Sequence, residues 1–168
     1  RAAPGGTGAA KCGGNYGGSY VAQRQAAAND CDDVVWLDAR EHRYIEEAGG
    51  CNLFFVESTT GGSRLRTPPL SGTLLAGVPL DSILRLAEKL GYPVSEEPLT
   101  LDEWEQVCRD GRITETFACG TFRAIVPVGH VVSAQREWPV GDGTAGAVTS
   151  RLREAMLDIH YGQIPDEF

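Results

Sequence analysis

Apolar and polar positions change their period along the chain, and the changes mark out its elements. Residues 1 to 9 are rich in Gly, Ala and Pro and read as a loop that delivers Lys11 to a defined place. From Asn15 to Asn29 the run NYGGSYVAQRQAAAN predicts a helix, although Gly17 and Gly18 weaken it by about 1 kcal/mol each relative to alanine. Short strand-like runs follow: VVWLD at 34–38, RYIEE at 43–47 and NLFFVE at 52–57, separated by turn-like DARE and AGG segments. After a loop at Gly61 to Ser63, Ile83, Leu84, Leu86, Ala87 and Leu90 recur at helical spacing, with Pro79 at the first helical position and Gly91 as the closing cap. YPVSEEPLT then predicts a strand, and LDEWEQVCRDG a helix in which Thr100 precedes Glu103 by three residues, as in a capping box. Two further strands, ITETFACGT and AIVPVGHVVS, precede a Gly-rich loop at 141–146 and a last helix over residues 147–161. Strands and helices mixed in this irregular order predict one α/β, barrel-like domain over residues 1–168.

Composition narrows the class of partner. The chain is 42% hydrophobic and 23% charged, the make-up of an ordinary globular domain with one core. A formal charge of -8 and a pI near 4.8 leave no basic stripe to displace phosphate counterions, so nucleic acid is not expected as a partner. No apolar run approaches the roughly 20 residues a membrane helix needs, and residues 1 to 10 lack the apolar core of a signal peptide; a cytoplasmic protein is expected. Five cysteines, odd in number and without a CxxC pair, suit a reducing compartment. The chain opens on Arg1 and has its one methionine at Met156, so further residues are expected upstream. His42, His130 and His160 lack metal-ligand spacing, and no metal is expected.

A lone lysine is ordinarily a solvated surface charge, and Glu47 beside Glu46 is ordinarily a strand-end surface residue. Their company changes the reading. Lys-Cys-Gly-Gly-Asn-Tyr at 11–16, Tyr-Ile-Glu-Glu-Ala-Gly-Gly-Cys-Asn-Leu-Phe at 44–54, Ala-Gly-Val at 76–78 and Phe-Ala-Cys-Gly-Thr at 117–121 occur in order. With the lead-in Pro-Gly-Gly-Thr-Gly-Ala-Ala at 4–10, they resemble the fold type IV pyridoxal-phosphate enzymes, and among these the bacterial branched-chain aminotransferases, over nearly the whole chain.

The resemblance implies a mixed-strand pseudo-barrel flanked by helices, corresponding to the C-terminal, cofactor-holding domain. It implies that Lys11 binds the aldehyde of pyridoxal 5'-phosphate and shuttles the proton between substrate and cofactor. Such a lysine needs a lowered pKa, which burial beside a cationic ring supplies. Glu47 matches the acid that keeps the pyridine nitrogen protonated, so that the ring accepts electrons. Tyr16 matches the tyrosine that meets the cofactor's phenolic oxygen, and Asn52 holds the loop beneath the ring. Leu75, Gly77 and Val78, followed by a helix, match the phosphate-binding backbone, with a hydroxyl from Thr121.

Three departures bear on this. Pro79 has no amide to donate, which predicts a looser grip on phosphate. Phe122 and Arg123 stand where the family has two alanines facing the substrate carboxylate, so Phe122 is expected to fill part of the substrate pocket and Arg123 to pair with an acidic substrate group or a carboxylate of another chain. The family's N-terminal domain, which completes the site, does not precede Arg1, so it is expected in the same or another chain, within a homo-oligomer. The activity implied is transfer of the amino group from branched-chain L-amino acids to 2-oxoglutarate. The alternatives are a D-amino acid aminotransferase, an aminodeoxychorismate lyase, or a non-catalytic domain that binds a partner protein.

Overall fold

The computed structural model describes residues 1–166. Its spine is β3 (Cys51–Thr59), a nine-residue strand buried over residues 52–56. One edge of β3 pairs antiparallel with β6 (Ile113–Gly120) from Asn52 to Glu57. The other edge is shared: β2 (Ile45–Ala48) pairs at its start and β4 (Gly62–Thr67) at its end. β1 (Val35–Leu37) extends the sheet beyond β2, and β5 (Val94–Glu96) extends it beyond β4 in the one parallel pairing. β7 (Ala124–Pro127) continues it beyond β6.

The two wings then curl toward each other. The chain leaving β5 reaches back to β2, where Ile45 donates to the Leu99 carbonyl at 2.9 Å, Leu101 donates to the Arg43 carbonyl at 2.9 Å, and Tyr44 bridges Thr100. That closure makes the sheet a pseudo-barrel, as the sequence led us to expect. Alternation along β3 divides the apolar residues between two cores. Leu53 and Phe55 point to the side of α4 (Leu101–Arg109), where Trp104 lies edge-on to Phe55 and to Trp138 of β9 (Glu137–Pro139). Phe54 and Val56 point to the side of α3 (Val78–Lys89) and α5 (Ala147–His160), with Phe54 stacked on Phe117 at 5.1 Å. Each of these fully buried rings stabilises the fold by roughly 2–3 kcal/mol.

Several boundaries differ from the expected ones for identifiable reasons. The helix expected over 15–29 is two, α1 (Gly14–Gly17) and α2 (Ser19–Ala27), parted at Gly18, where paired glycines weaken the ladder. The expected loop at 61–63 is the tip of a hairpin. β4 then carries Arg64 and Arg66, whose charges hid a buried strand because Glu57 of β3 faces both. AIVPVGHVVS is not one strand: after Pro127, Val128 turns its amide to the Thr116 carbonyl at 2.8 Å, and β8 (His130–Val132) pairs instead with β9 in a separate two-stranded sheet. The cap on α4 is as expected, Thr100 accepting from the Glu103 amide at 3.1 Å, while the Glu103 carboxylate turns to Arg66. Gly91, with φ of +85°, follows α3 in the left-handed conformation that ends helices. Among the described residues no helix is long and apolar enough to cross a membrane, and no cluster of His, Cys, Asp and Glu is arranged to hold a metal.

Candidate active site

The loop that carries Lys11 is held by one buried side chain. Asn15, in the first turn after the lysine, donates to the carbonyls of Thr7 at 2.8 Å and Ala10 at 2.9 Å, and accepts from the Thr7 hydroxyl at 2.7 Å. The loop also lies directly on the backbone of Thr73, where a Cβ on Gly8 would fall 2.3 Å from the Thr73 carbonyl oxygen. These contacts fix the segment, and the Lys11 amine emerges exposed, 5.9 Å from the centre of the Tyr16 ring. The Arg1 guanidinium stands 5.4 Å from that ring centre.

Arg1 connects this cluster to β2. Its Nε donates to the Glu47 carboxylate, and its Nη2 donates to the Gly8 carbonyl at 3.0 Å. Glu47 is 1% exposed; burial pushes its carboxyl above the ordinary carboxylate value, and the Arg1 charge opposes that push. Glu46 is buried too, and accepts from the Thr73 hydroxyl. The pair is therefore not the exposed strand end that its local sequence suggests.

Asn52, the first residue of β3 to pair with β6, donates to the Leu75 carbonyl at 3.0 Å. It thereby holds the loop that enters α3. The fit is tight, since a Cβ on Gly77 would meet the Asn52 Oδ1 at 2.6 Å. α3 begins after Gly77 with Val78 and Pro79, and among the described residues no side chain caps it. Its first amides and the positive end of its dipole are thus available to an anion, less the one amide that Pro79 lacks.

The β6–β7 hairpin completes the rim. Thr121, Phe122 and Arg123 form its tip, and Phe122 is 94% exposed. Arg123 faces Asp33 at 3.6 Å. Cys51 lies among these groups: burial pushes its thiol up, and the charges of Asp33, Arg123, Lys11 and Glu47 all act on it. Gly120 lies directly against it, where a Cβ would fall 2.8 Å from the Cys51 sulfur.

Lys11, Tyr16 and Glu47 thus meet through Arg1, while Asn52 secures Leu75 and Gly77 at the entry of α3. Lys11, Tyr16 and Glu47 line neither of two hollows elsewhere on the surface, one of about 290 Å³ bordered by Arg1, Ser19 and Trp36 and one of about 620 Å³ between β7 and α5. Sequence reasoning missed Arg1, Asn15, Asp33 and Thr73. Asn15 had a signal, a polar residue at the start of a helix beside two glycines; the others are polar residues in loops and become site residues only through long-range contacts. An exposed amine, a phenol, a buried carboxylate and an uncapped helix N-terminus together suit a flat cationic ring that carries an aldehyde and an anionic tail.

Comparison with known proteins shows the family. Residues 3–131 match the family described as amino-transferase class IV. A branched-chain-amino-acid aminotransferase of Mycolicibacterium smegmatis is 52% identical over 166 residues, which cover 99% of this chain and 45% of that protein. The crystal structure of a T.th. branched-chain amino acid aminotransferase complexed with N-(5'-phosphopyridoxyl)-L-glutamate superposes with a TM-score of 0.77 at 37% identity, covering 94% of this chain and 48% of that one. The branched-chain amino acid aminotransferase from Escherichia coli gives 0.80 at 35% identity, covering 100% and 52%. The chain spans about half the length of the curated relatives it matches. The pseudo-barrel is that of the fold type IV aminotransferases, and the chain belongs to the amino-transferase class IV family.

Proposed function

We propose that the protein carrying these residues is a pyridoxal-phosphate-dependent transaminase that moves amino groups between branched-chain L-amino acids and 2-oxoglutarate. The observation that carries the reading is the meeting of Lys11, Tyr16 and Glu47 at one end of the sheet, with an uncapped helix N-terminus entered through Asn52. The likeness to an aminotransferase bound to a phosphopyridoxyl-glutamate adduct supports it.

When bound, pyridoxal phosphate supplies an aldehyde that carries the amino group and a ring that accepts electrons. Lys11 would hold the aldehyde, and its amine would carry the proton to and from the substrate α-carbon. Glu47, whose carboxyl burial pushes upward while the Arg1 charge opposes that push, would pair with the ring nitrogen. Tyr16 orients the phenolic oxygen. The backbone of Leu75, Gly77 and Val78, at the positive end of α3, and the Thr121 hydroxyl bind the phosphate. Phe122 and Arg123 border the substrate.

Lys11 is exposed in this chain, so its cover comes from elsewhere in the assembly: an N-terminal domain of the same or another chain, within a homo-oligomer in the cytoplasm. The test is a panel of amino donors with 2-oxoglutarate as acceptor, using the full-length protein. Leucine, isoleucine and valine are expected to react, and Lys11→Ala to abolish the reaction. Turnover of D-alanine with none of these three would contradict the substrate assignment, and undiminished turnover in Lys11→Ala the mechanism.

A further inference from the structure

The loop that carries Lys11 and the loop that enters α3 bear on each other, and the second acid of β2 takes part in the contact. Glu46 and Glu47 are consecutive and both buried, yet their carboxylates go to different partners. Glu47 accepts from the Arg1 Nε, whereas Glu46 accepts from the Thr73 hydroxyl. Thr73 is itself buried; having given its one proton to Glu46, its oxygen accepts from the Ser71 hydroxyl at 2.6 Å. The other oxygen of Glu46 is buried with no partner among the described residues, so the Thr73 donor is what offsets the burial of this carboxylate.

These contacts close into a ring. The Thr73 backbone presses on Gly8 and leaves no room there for even a methyl group. The Gly8 carbonyl accepts from the Arg1 Nη2 at 3.0 Å, and the same guanidinium reaches Glu47 through Nε. β2 then joins Glu47 back to Glu46. Three branches leave the ring: Lys11 lies three residues beyond Gly8, the Leu75 carbonyl held by Asn52 lies two beyond Thr73, and Glu47 is itself a member. The groups that the transaminase reading assigns to aldehyde, phosphate and ring nitrogen are therefore set by one another. Close-packed backbone of this kind transmits a shift of one loop to the next.

We infer that Glu46 and Thr73 are positioning residues that lock the Lys11 loop against the entry of α3, so that the two anchors of the cofactor are held at one fixed spacing. The inference rests on the transaminase reading for the identity of the cofactor, but the lock belongs to the protein alone. Native-state hydrogen exchange of the full-length protein without added cofactor reads it directly: residues 5–11 and 73–78 should open together, with one dependence on denaturant. Thr73→Val keeps the side-chain shape and removes the donor, and is expected to speed exchange about tenfold in both segments. Glu46→Ala, which removes the acceptor instead, is expected to do the same, whereas Asn52→Ala speeds exchange in 73–78 alone. Thr73→Ser, which retains the hydroxyl, should stay within about twofold of wild type. Titration reads the consequence, because pyridoxal phosphate uses both anchors and pyridoxamine phosphate, which has no aldehyde, uses one. Thr73→Val is expected to lower the ratio of their affinities about tenfold, and Thr73→Ser to restore it. Separate openings of the two segments, or an affinity loss equal for both compounds, overturns the inference and leaves Thr73 a local support of its own loop. Absence of turnover with every amino donor, with exchange and affinity ratios as expected, would refute the transaminase reading and leave the lock standing.

Discussion

Helices α3 and α5 pack side by side on the same core, and each begins after a glycine in extended conformation, yet their first turns are treated in opposite ways. At α5, the Glu115 carboxylate of β6 accepts from the amides of Val148 at 3.0 Å and Thr149 at 2.7 Å. A Cβ on Gly146 would fall 2.1 Å from that carboxyl carbon, so the glycine clears the space for it. At α3, among the described residues, no side chain caps the first amides, and the Asp81 carboxylate of its first turn pairs with Arg85. The buried acid of the site, Glu47, is matched by Arg1 instead, and Asn52 holds only the entering loop. The positive end of α5 is neutralised from within the chain, whereas that of α3 is left open, as the proposed phosphate site requires.

The comparison breaks first at its carboxylates. Arg1→Met leaves a buried acid without its partner and is expected to cost about 3 kcal/mol near neutral pH by chemical denaturation. Glu47 is already displaced upward from 4.5 by burial, and removing Arg1 displaces it further. A folded-state value above the unfolded one means stability is greatest at low pH and is lost as pH rises through that interval. The cost of Arg1→Met should therefore shrink measurably at about pH 5. A pH-independent cost would mean that Glu47 is not the affected group.

Glu115→Ala comes next. Uncapping α5 should cost about 2 kcal/mol, or roughly 4–8 °C in Tm, while pyridoxal phosphate binds within about twofold of wild type. Asn52→Ala is expected to show the reverse balance, with about 1 kcal/mol of stability lost with the bond to Leu75 and about tenfold weaker cofactor binding by absorbance titration. Gly77→Ala should be the mildest for stability, because φ there is -72° and no left-handed conformation is demanded. Its methyl group would nonetheless push Asn52 aside and weaken the cofactor several-fold. If Glu115→Ala and Asn52→Ala weakened the cofactor equally, the two helix ends would not differ in the way described.

The asymmetry explains what could be read in the sequence. Helical spacing placed α3, the capping box placed α4, and the apolar run in NLFFVE placed β3, which is buried on both faces. The family resemblance carried by the four motifs picked out Lys11, Tyr16, Glu47 and Asn52. Local sequence showed neither β4, whose Arg66 is buried against Glu57 and Glu103, nor the role of Glu115, which caps a helix more than 30 residues away. Asp33 and Thr73 were likewise illegible: each touches the site through a turn or carboxylate brought close only when the sheet closes. Long-range polar contacts leave no period along the chain.

Lys11 and Lys89 are the two lysines of the chain, which makes the central claim directly measurable. Protein equilibrated with pyridoxal phosphate, reduced with borohydride and digested should carry the pyridoxyl mass on the peptide containing Lys11. That label should fall with Asn52→Ala and persist with Glu115→Ala. Label spread over other lysines as readily as Lys11, or equal loss in both variants, would contradict the assignment of Lys11 and the open end of α3 as the two anchors of the cofactor.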